Sequence, residues 1–373
     1  MPRPFAFALA ATALLVWLYG FIDVVAHAGS GMRYYVPMAE AAPGLDLTVA
    51  QPYVYRWLGP WLAGVLPLPV HDAFYAWGVA ASMGLAGLAY AVFRAAGASV
   101  RASAVTVGLL AANAYLFGFN VYNPFHLDDV LTQIGLGGAL LLLWRGRYGW
   151  MGAVLALTVL TREPAILMVP VVGVWLWERG RIRQDGVRAA LALAPLVLLF
   201  AAPRLWMPDT GAGGMLLADQ FAAESRKALR PETWARLLVN AWIPVLAVPL
   251  AWPREALAWA RRHLHLVVLF ASVVASAFFG SDQERLMQPA VWCVYPLVAV
   301  LLGRHWQARP RALGALGIAA FLASLHHLTA RFPLPSRRLT MVLAGASLGL
   351  ALAASLWVRW GGRDRAGETP RGL

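Results

Sequence analysis

The sequence predicts an all-α, polytopic integral membrane protein with about twelve transmembrane helices. Composition is the first observation. Sixty per cent of the 373 residues are hydrophobic and 13% are charged, roughly half the charged share of a soluble domain. Such a chain lacks the polar groups to cover a water-facing surface, and its mean hydropathy of +0.61 suits a lipid solvent. The second observation is where the charges fall. The net charge is +13, with Lys227 the single lysine, and the arginines sit at the ends of apolar runs. That is the placement expected of interfacial snorkelling and the positive-inside bias. It excludes a nucleic-acid surface, which needs basic residues gathered on one face.

Taken in order, the apolar runs are centred on 4–26, 72–94, 102–120, 129–145, 148–161, 164–178, 188–207, 236–253, 264–280, 288–304, 311–330 and 338–358. Ala26-His27-Ala28 resembles a signal-peptidase site. The apolar stretch before it, Pro4 to Ala26, is longer than the roughly 7–15 residues of a signal core, so it reads as a retained first span. The fifth and sixth runs are short and meet at Arg162-Glu163-Pro164. They read as half-length helices meeting inside the protein or as one partial hairpin, since irregular backbone at depth must line protein or a wet cavity.

Topology follows from arginine placement. Arg94/Arg101, Arg145/Arg147, Arg179/Arg181/Arg183/Arg188, Arg254/Arg261/Arg262 and Arg304/Arg309/Arg311 fall in alternate connections. These connections read as cytoplasmic, with both termini inside; Arg337 and Arg338 run against the bias. The other connections lie outside and hold most acids and aromatics. Residues 1–360 then form one transmembrane domain, with 361–373 a short cytoplasmic tail. Residues 26–71 form an amphipathic outer loop and 208–236 a second one, a flap followed by a basic helix. No internal repeat is visible. Cys293, the single cysteine, lies in an apolar run and reads as a core thiol, which rules out disulfides and cysteine metal sites.

The candidate chemistry gathers on the outer side. Residues 32–40 read Met-Arg-Tyr-Tyr-Val-Pro-Met-Ala-Glu, and 51–63 read Gln-Pro-Tyr-Val-Tyr-Arg-Trp-Leu-Gly-Pro-Trp-Leu-Ala. Tyr34, Tyr35, Tyr53, Tyr55, Trp57 and Trp61 suit either a headgroup belt or a sugar face. Arg56 among them offers a bidentate donor to a phosphate, of a substrate or of a lipid. Asn123-Pro-Phe-His-Leu-Asp128-Asp129 puts two acids at a span's N-terminus. One can cap the helix, leaving the other as ligand or base; a divalent cation on His126, Asp128 and Asp129 is the lesser reading. Arg162 and Glu163 mark a site or a buried ion pair. In Gly280-Ser-Asp282-Gln-Glu284-Arg285, Asp282 and Arg285 share a helix face at i, i+3, as an anion site or a structural pair. His326-His327 reads as a packing pair.

A first span followed by Tyr-Tyr-Val-Pro-Met-Ala and Pro-Tyr-Val-Tyr-Arg-Trp-Leu-Gly-Pro-Trp-Leu-Ala resembles the polytopic GT-C glycosyltransferases, including the protein mannosyltransferase-like and aminoarabinose transferase-like bacterial enzymes. Asp128-Asp129, Leu-Thr-Arg-Glu-Pro-Ala (160–165) and the 280–285 segment extend the likeness, in order, over roughly the first 300 residues. The resemblance implies a multi-pass enzyme of the inner (cytoplasmic) membrane. It would move a sugar from a polyprenyl-phosphate donor to an acceptor on the outer face, with a first-loop carboxylate as base. Such an acid commonly stands just before the tyrosine pair, where this chain has Gly29-Ser30-Gly31-Met32-Arg33. Asp23 is therefore the first candidate and Asp46 the second, with Asp128 and Asp129 as further catalytic candidates. Tyr34, Tyr35, Tyr55, Arg56, Arg162, Glu163, Asp282 and Arg285 are the expected substrate contacts. The competing readings are a transporter or flippase for a lipid-linked or anionic substrate, and a non-catalytic membrane subunit.

Overall fold

The computed structural model describes residues 2–23, 31–206, 226–278, 283–306, 309–326 and 329–360. Asp282, His327, most of the 208–236 loop and the 361–373 tail lie outside them. Every regular element among the described residues is helical. The first half comprises α1 (Arg3–Tyr19), α2 (Met32–Glu40), α3 (Leu58–Gly64), α4 (Val70–Ala95), α5 (Val100–Ala111), α6 (Phe119–Tyr122), α7 (Leu127–Trp144), α8 (Tyr148–Thr158), α9 (Met168–Glu178) and α10 (Ile182–Trp206). The second comprises α11 (Pro231–Leu238), α12 (Ala247–Ala251), α13 (Pro253–Arg262), α14 (Leu264–Ala277), α15 (Gln283–Leu286), α16 (Val291–His305), α17 (Pro310–Ser324) and α18 (Arg337–Trp360).

Four helices are long and apolar enough to cross a membrane: Val70–Ala95, Pro124–Trp144, Ile182–Trp206 and Arg337–Trp360. The count rises to six if two bent pairs are each one span: Val100–Ala111 with Ala114–Tyr122, bent by 71°, and Pro253–Arg262 with Leu264–Ala277, bent by 100°. The remaining apolar segments form shorter helices. Hydropathy registers an apolar run whether or not its helix is unbroken, so run length alone does not give span number.

The sequence sets these elements locally. Pro69 precedes α4, Asp72 lies in its first turn and Arg94 in its last, matching the helix dipole at both ends. Gly97 ends that helix at φ 95°, with Gly97 N–H donating to the Arg94 carbonyl at 3.1 Å and Ala98 N–H to that of Phe93 at 3.1 Å. This left-handed closure is one that glycine adopts without a Cβ penalty. Burial separates the spans. The α7 span is the most enclosed, whereas α10 and α18 face outward, presenting Leu191, Leu198, Met341 and Val342. An apolar surface of that extent needs lipid around it.

At the centre, Gly137 of α7 packs so closely on Trp292 of α16 that a Cβ there would collide with the indole. Trp292 Nε1 donates to the Gln133 carbonyl at 3.0 Å. This contact locks α7, whose N-terminal end carries Asp128 and Asp129, against α16.

Candidate functional site

The site is built around the N-terminus of α7. A tight 3-10 turn, Pro124–His126, runs directly into the helix, so His126, Asp128 and Asp129 emerge together at one end of the bundle. Asp129 is 2% exposed and grips two guanidiniums. Its Oδ2 accepts from Arg285 Nη1 at 2.7 Å, and its Oδ1 pairs with Arg162 Nη1. Arg285 Nη1 also lies 3.2 Å from His126 Nδ1 and its guanidinium sits over the Phe119 ring. Residues more than 150 positions apart in the chain thus meet on one carboxylate.

Asp128 is different. It is 1% exposed; among the described residues no ion pair engages its carboxylate, and the Tyr35 phenol is the hydrogen-bonding group that acts on it. Arg56, Arg162 and Glu163 act on it through their charges. Gly59 of α3 lies against it, and a Cβ at that position would collide with Oδ1. A buried carboxylate in no ion pair is costly unless it has a task.

A second group flanks the first. Arg56 and Glu163 form a two-pronged pair, Nη2 to Oε2 at 3.0 Å and Nε to Oε1 at 3.2 Å. Arg204 at the end of α10 joins from the other side, 3.4 Å from Glu163 Oε1, with its guanidinium over the Tyr55 ring at 4.4 Å. Burial pushes the Glu163 carboxyl up, but the Arg56 and Arg162 guanidiniums outweigh that and hold it below its ordinary value. Among the described residues, four guanidiniums (Arg56, Arg162, Arg204, Arg285) therefore face three carboxylates (Asp128, Asp129, Glu163). The excess is positive, which suits an anion.

Over this cluster lies the amphipathic layer of α2 and α3. Tyr34 stacks on Tyr53 with centroids 3.9 Å apart, and Tyr35 meets Tyr53 edge-on. Burial and the nearby Asp128 raise the Tyr35 phenol well above its usual range, although Arg56 opposes them. Gly64 of α3 packs so tightly on the Ala39 carbonyl of α2 that a Cβ there would collide with backbone, so the two helices form one unit. Beside Asp129, Arg162, Gln133 and Gln288 is a cavity of about 10 Å3, room for about one water. A ligand larger than water needs this space to open.

The structure thus brings together Tyr35, Tyr55, Arg56, Asp128, Asp129, Arg162, Glu163 and Arg285, with Tyr34 stacked in the layer above. Asp23 is exposed and lies beside Tyr122, which precedes the Pro124–His126 turn. Asp46 is exposed in a turn, where its Oδ1 accepts from the Thr48 hydroxyl at 2.6 Å and amide at 2.9 Å; these bonds lower its pKa. The metal reading fits poorly. Both Asp129 oxygens are held by arginines and His126 Nδ1 faces Arg285, so these donors do not turn toward a shared cation. Among the described residues no group of three His, Cys, Asp or Glu side chains is placed to hold a metal ion.

Several contributors were not evident from sequence. Arg204 is indistinguishable there from a snorkelling arginine at the end of an apolar run. Thr132, whose hydroxyl pairs with that of Thr161 at 2.8 Å between α7 and the 158–163 turn, carries no linear signal. Gln288 Nε2, donating to Asn120 Oδ1 at 2.9 Å, had a weak one as a polar residue next to Pro289 at the start of an apolar run. Comparison with known protein families, curated proteins and solved structures finds no match to this chain.

Proposed function

We propose that this chain is a GT-C-type membrane glycosyltransferase that moves a sugar from a polyprenyl-phosphate donor to an acceptor hydroxyl at the extracytoplasmic face. The observation that carries this reading is Asp128: a buried carboxylate in no ion pair among the described residues, set among guanidiniums beneath an aromatic layer that offers it the Tyr35 phenol. In the transfer, the bond from the sugar's anomeric carbon to the donor phosphate oxygen breaks and its electrons leave with the polyprenyl phosphate. The acceptor oxygen bonds the same carbon and its proton passes to Asp128 as general base. Negative charge grows on the departing phosphate, where Arg285, Arg162 and Arg56 can receive it. Asp129, engaged by two arginines, orients them and is not free to take a proton.

The arginine bias along the chain supports assigning the Asp128 end to the outer side and both termini to the cytoplasm. In the same reading the short helices pair into further partial or complete spans, up to the twelve apolar runs of the sequence. The lipid tail of the donor accounts for a charged site that must open sideways toward the bilayer.

The test is binding of undecaprenyl phosphate to the protein in nanodiscs, against undecaprenol of the same length. The phosphate-bearing lipid is expected to bind at least about tenfold tighter, and Arg285→Gln to remove most of that preference. Equal binding of alcohol and phosphate would refute the donor assignment.

A further inference from the structure

A cavity of about 600 Å3 lies at the other end of the bundle, within the roughly 300–1,000 Å3 of small-ligand sites. Gln288 and Pro289, just before α16, line the small cavity beside Asp129, whereas Val300, Gly303 and Arg304 near the far end of α16 line this one. The 15 residues of α16 separate the two by about 22 Å.

The polar lining of this second cavity is mainly basic: Arg262, His263 and Arg304, with Ser99 and Glu255. The Glu255 charge is already shared, because its Oε2 lies 3.0 Å from His305 Nε2 and 3.5 Å from Arg304 Nη1. Arg262 forms no ion pair among the described residues. Ser99 caps α5 by accepting from Ala102 N–H at 3.2 Å, so the positive end of that helix faces the same space. Trp259 supplies an apolar wall, stacked on His263.

The wall that carries Arg262 is itself distinctive. Helix α13 turns 100° away from α14, so it lies across the bundle rather than along it. Its sequence, Pro-Arg-Glu-Ala-Leu-Ala-Trp-Ala-Arg-Arg, buries Trp259 and leaves Arg254, Leu257, Arg261 and Arg262 exposed. Exposed leucine beside exposed arginines on a crosswise helix is the pattern of a segment resting in the headgroup layer.

We infer that this cavity binds the phosphate of an anionic phospholipid headgroup, held by Arg262 and Arg304 at the N-terminal end of α5, with the acyl chains remaining in the bilayer. A cationic recess at headgroup depth offers a fixed partner to a negatively charged lipid and none to the ammonium of a zwitterionic one. The inference rests on the membrane character of the chain and is independent of the transfer reaction.

The experiment is titration of the full-length protein in detergent, followed by native mass spectrometry. The probes are dioctanoyl phosphatidylglycerol, dioctanoyl phosphatidylcholine and inorganic phosphate. Phosphatidylglycerol is expected to bind about tenfold tighter than phosphatidylcholine. Arg262→Gln should abolish that preference, and so should Ala258→Trp, which fills the cavity from an exposed position. Arg261→Gln, on the same helix but outside the cavity, should retain it. Equal binding of the two lipids would overturn the inference. Equal losses in Arg261→Gln and Arg262→Gln would do so too, by assigning the effect to diffuse surface charge. Inorganic phosphate competing as well as the lipid would point to a water-soluble anion and overturn the lipid assignment.

Discussion

Asp128 and Asp129 are neighbours in sequence and equally buried, yet replacing each by asparagine should have opposite consequences. Asp129 neutralises Arg162 and Arg285 through both oxygens. Asp129→Asn leaves two guanidiniums facing each other in a closed space, and removing one partner of a buried pair typically costs about 3–5 kcal/mol. With the unfolding entropy per residue of globular proteins and 373 residues, that cost lowers the midpoint by roughly 4–6 °C. A helical membrane protein unfolds less completely, so its entropy is smaller and its shift larger. Asp128→Asn breaks no ion pair among the described residues and disturbs at most the Tyr35 phenol contact, so it should stay within about 1 kcal/mol of the parent. Cys293 is the single cysteine and is buried, so a thiol-reactive fluorophore added during heating reads unfolding from one position. Similar midpoints for the two variants, or a greater loss in Asp128→Asn, would refute the division between an arginine-clamping carboxylate and one in no ion pair.

Other outcomes follow from the same geometry. Gly59→Ala would drive a Cβ into Asp128 Oδ1; transfer should fall steeply while the fold persists, measured as turnover alongside the thiol-dye midpoint. Arg56→Lys forfeits the two-pronged contact with Glu163 and a fork-shaped phosphate donor; the expected loss in kcat is on the order of 10²–10³, read by single-turnover transfer. Glu163 is held below its unfolded pKa, so its contribution to stability is complete above the ordinary carboxylate range, about 4.3, and is lost as pH falls through the folded value. The thermal midpoint should therefore drop on acidification below about pH 4.5, and Glu163→Gln should shrink that acid-side drop; an unchanged acid limb would contradict the assignment.

What could be read from the sequence depended on how far each signal was local. Lipid solvation needed only composition and the spacing of arginines, and the exposed apolar faces of α10 and α18 agree with it. Arg162-Glu163 stood out because a charged pair between two apolar runs has few innocent explanations, and both residues do enter the cluster. Arg204 did not stand out, because an arginine closing an apolar run has an ordinary interfacial role. Span number was poorly legible: α5 with α6 and α13 with α14 are each a nearly continuous helical stretch in sequence but bend sharply in space. Asp23 and Asp46 stood ahead of Asp128 as base candidates because they lie near the tyrosine pair in sequence, whereas the spatial neighbours of each were not legible there. Asp46 follows that pair in the loop yet folds back on Thr48, whereas Asp128, over 90 residues further on, meets Tyr35 because α2 packs on α3 and on the 124–126 turn, and α3 on α7.

The most direct measurement is single-turnover transfer from a panel of undecaprenyl-phosphate sugars in nanodiscs, comparing the parent chain with Asp128→Asn, Asp23→Asn and Asp46→Asn. One donor should be consumed, Asp128→Asn should abolish its consumption at an unchanged thermal midpoint, and the other two variants should retain most of it. Undiminished turnover in Asp128→Asn, or no turnover of any donor by the parent chain, would contradict the transfer reading.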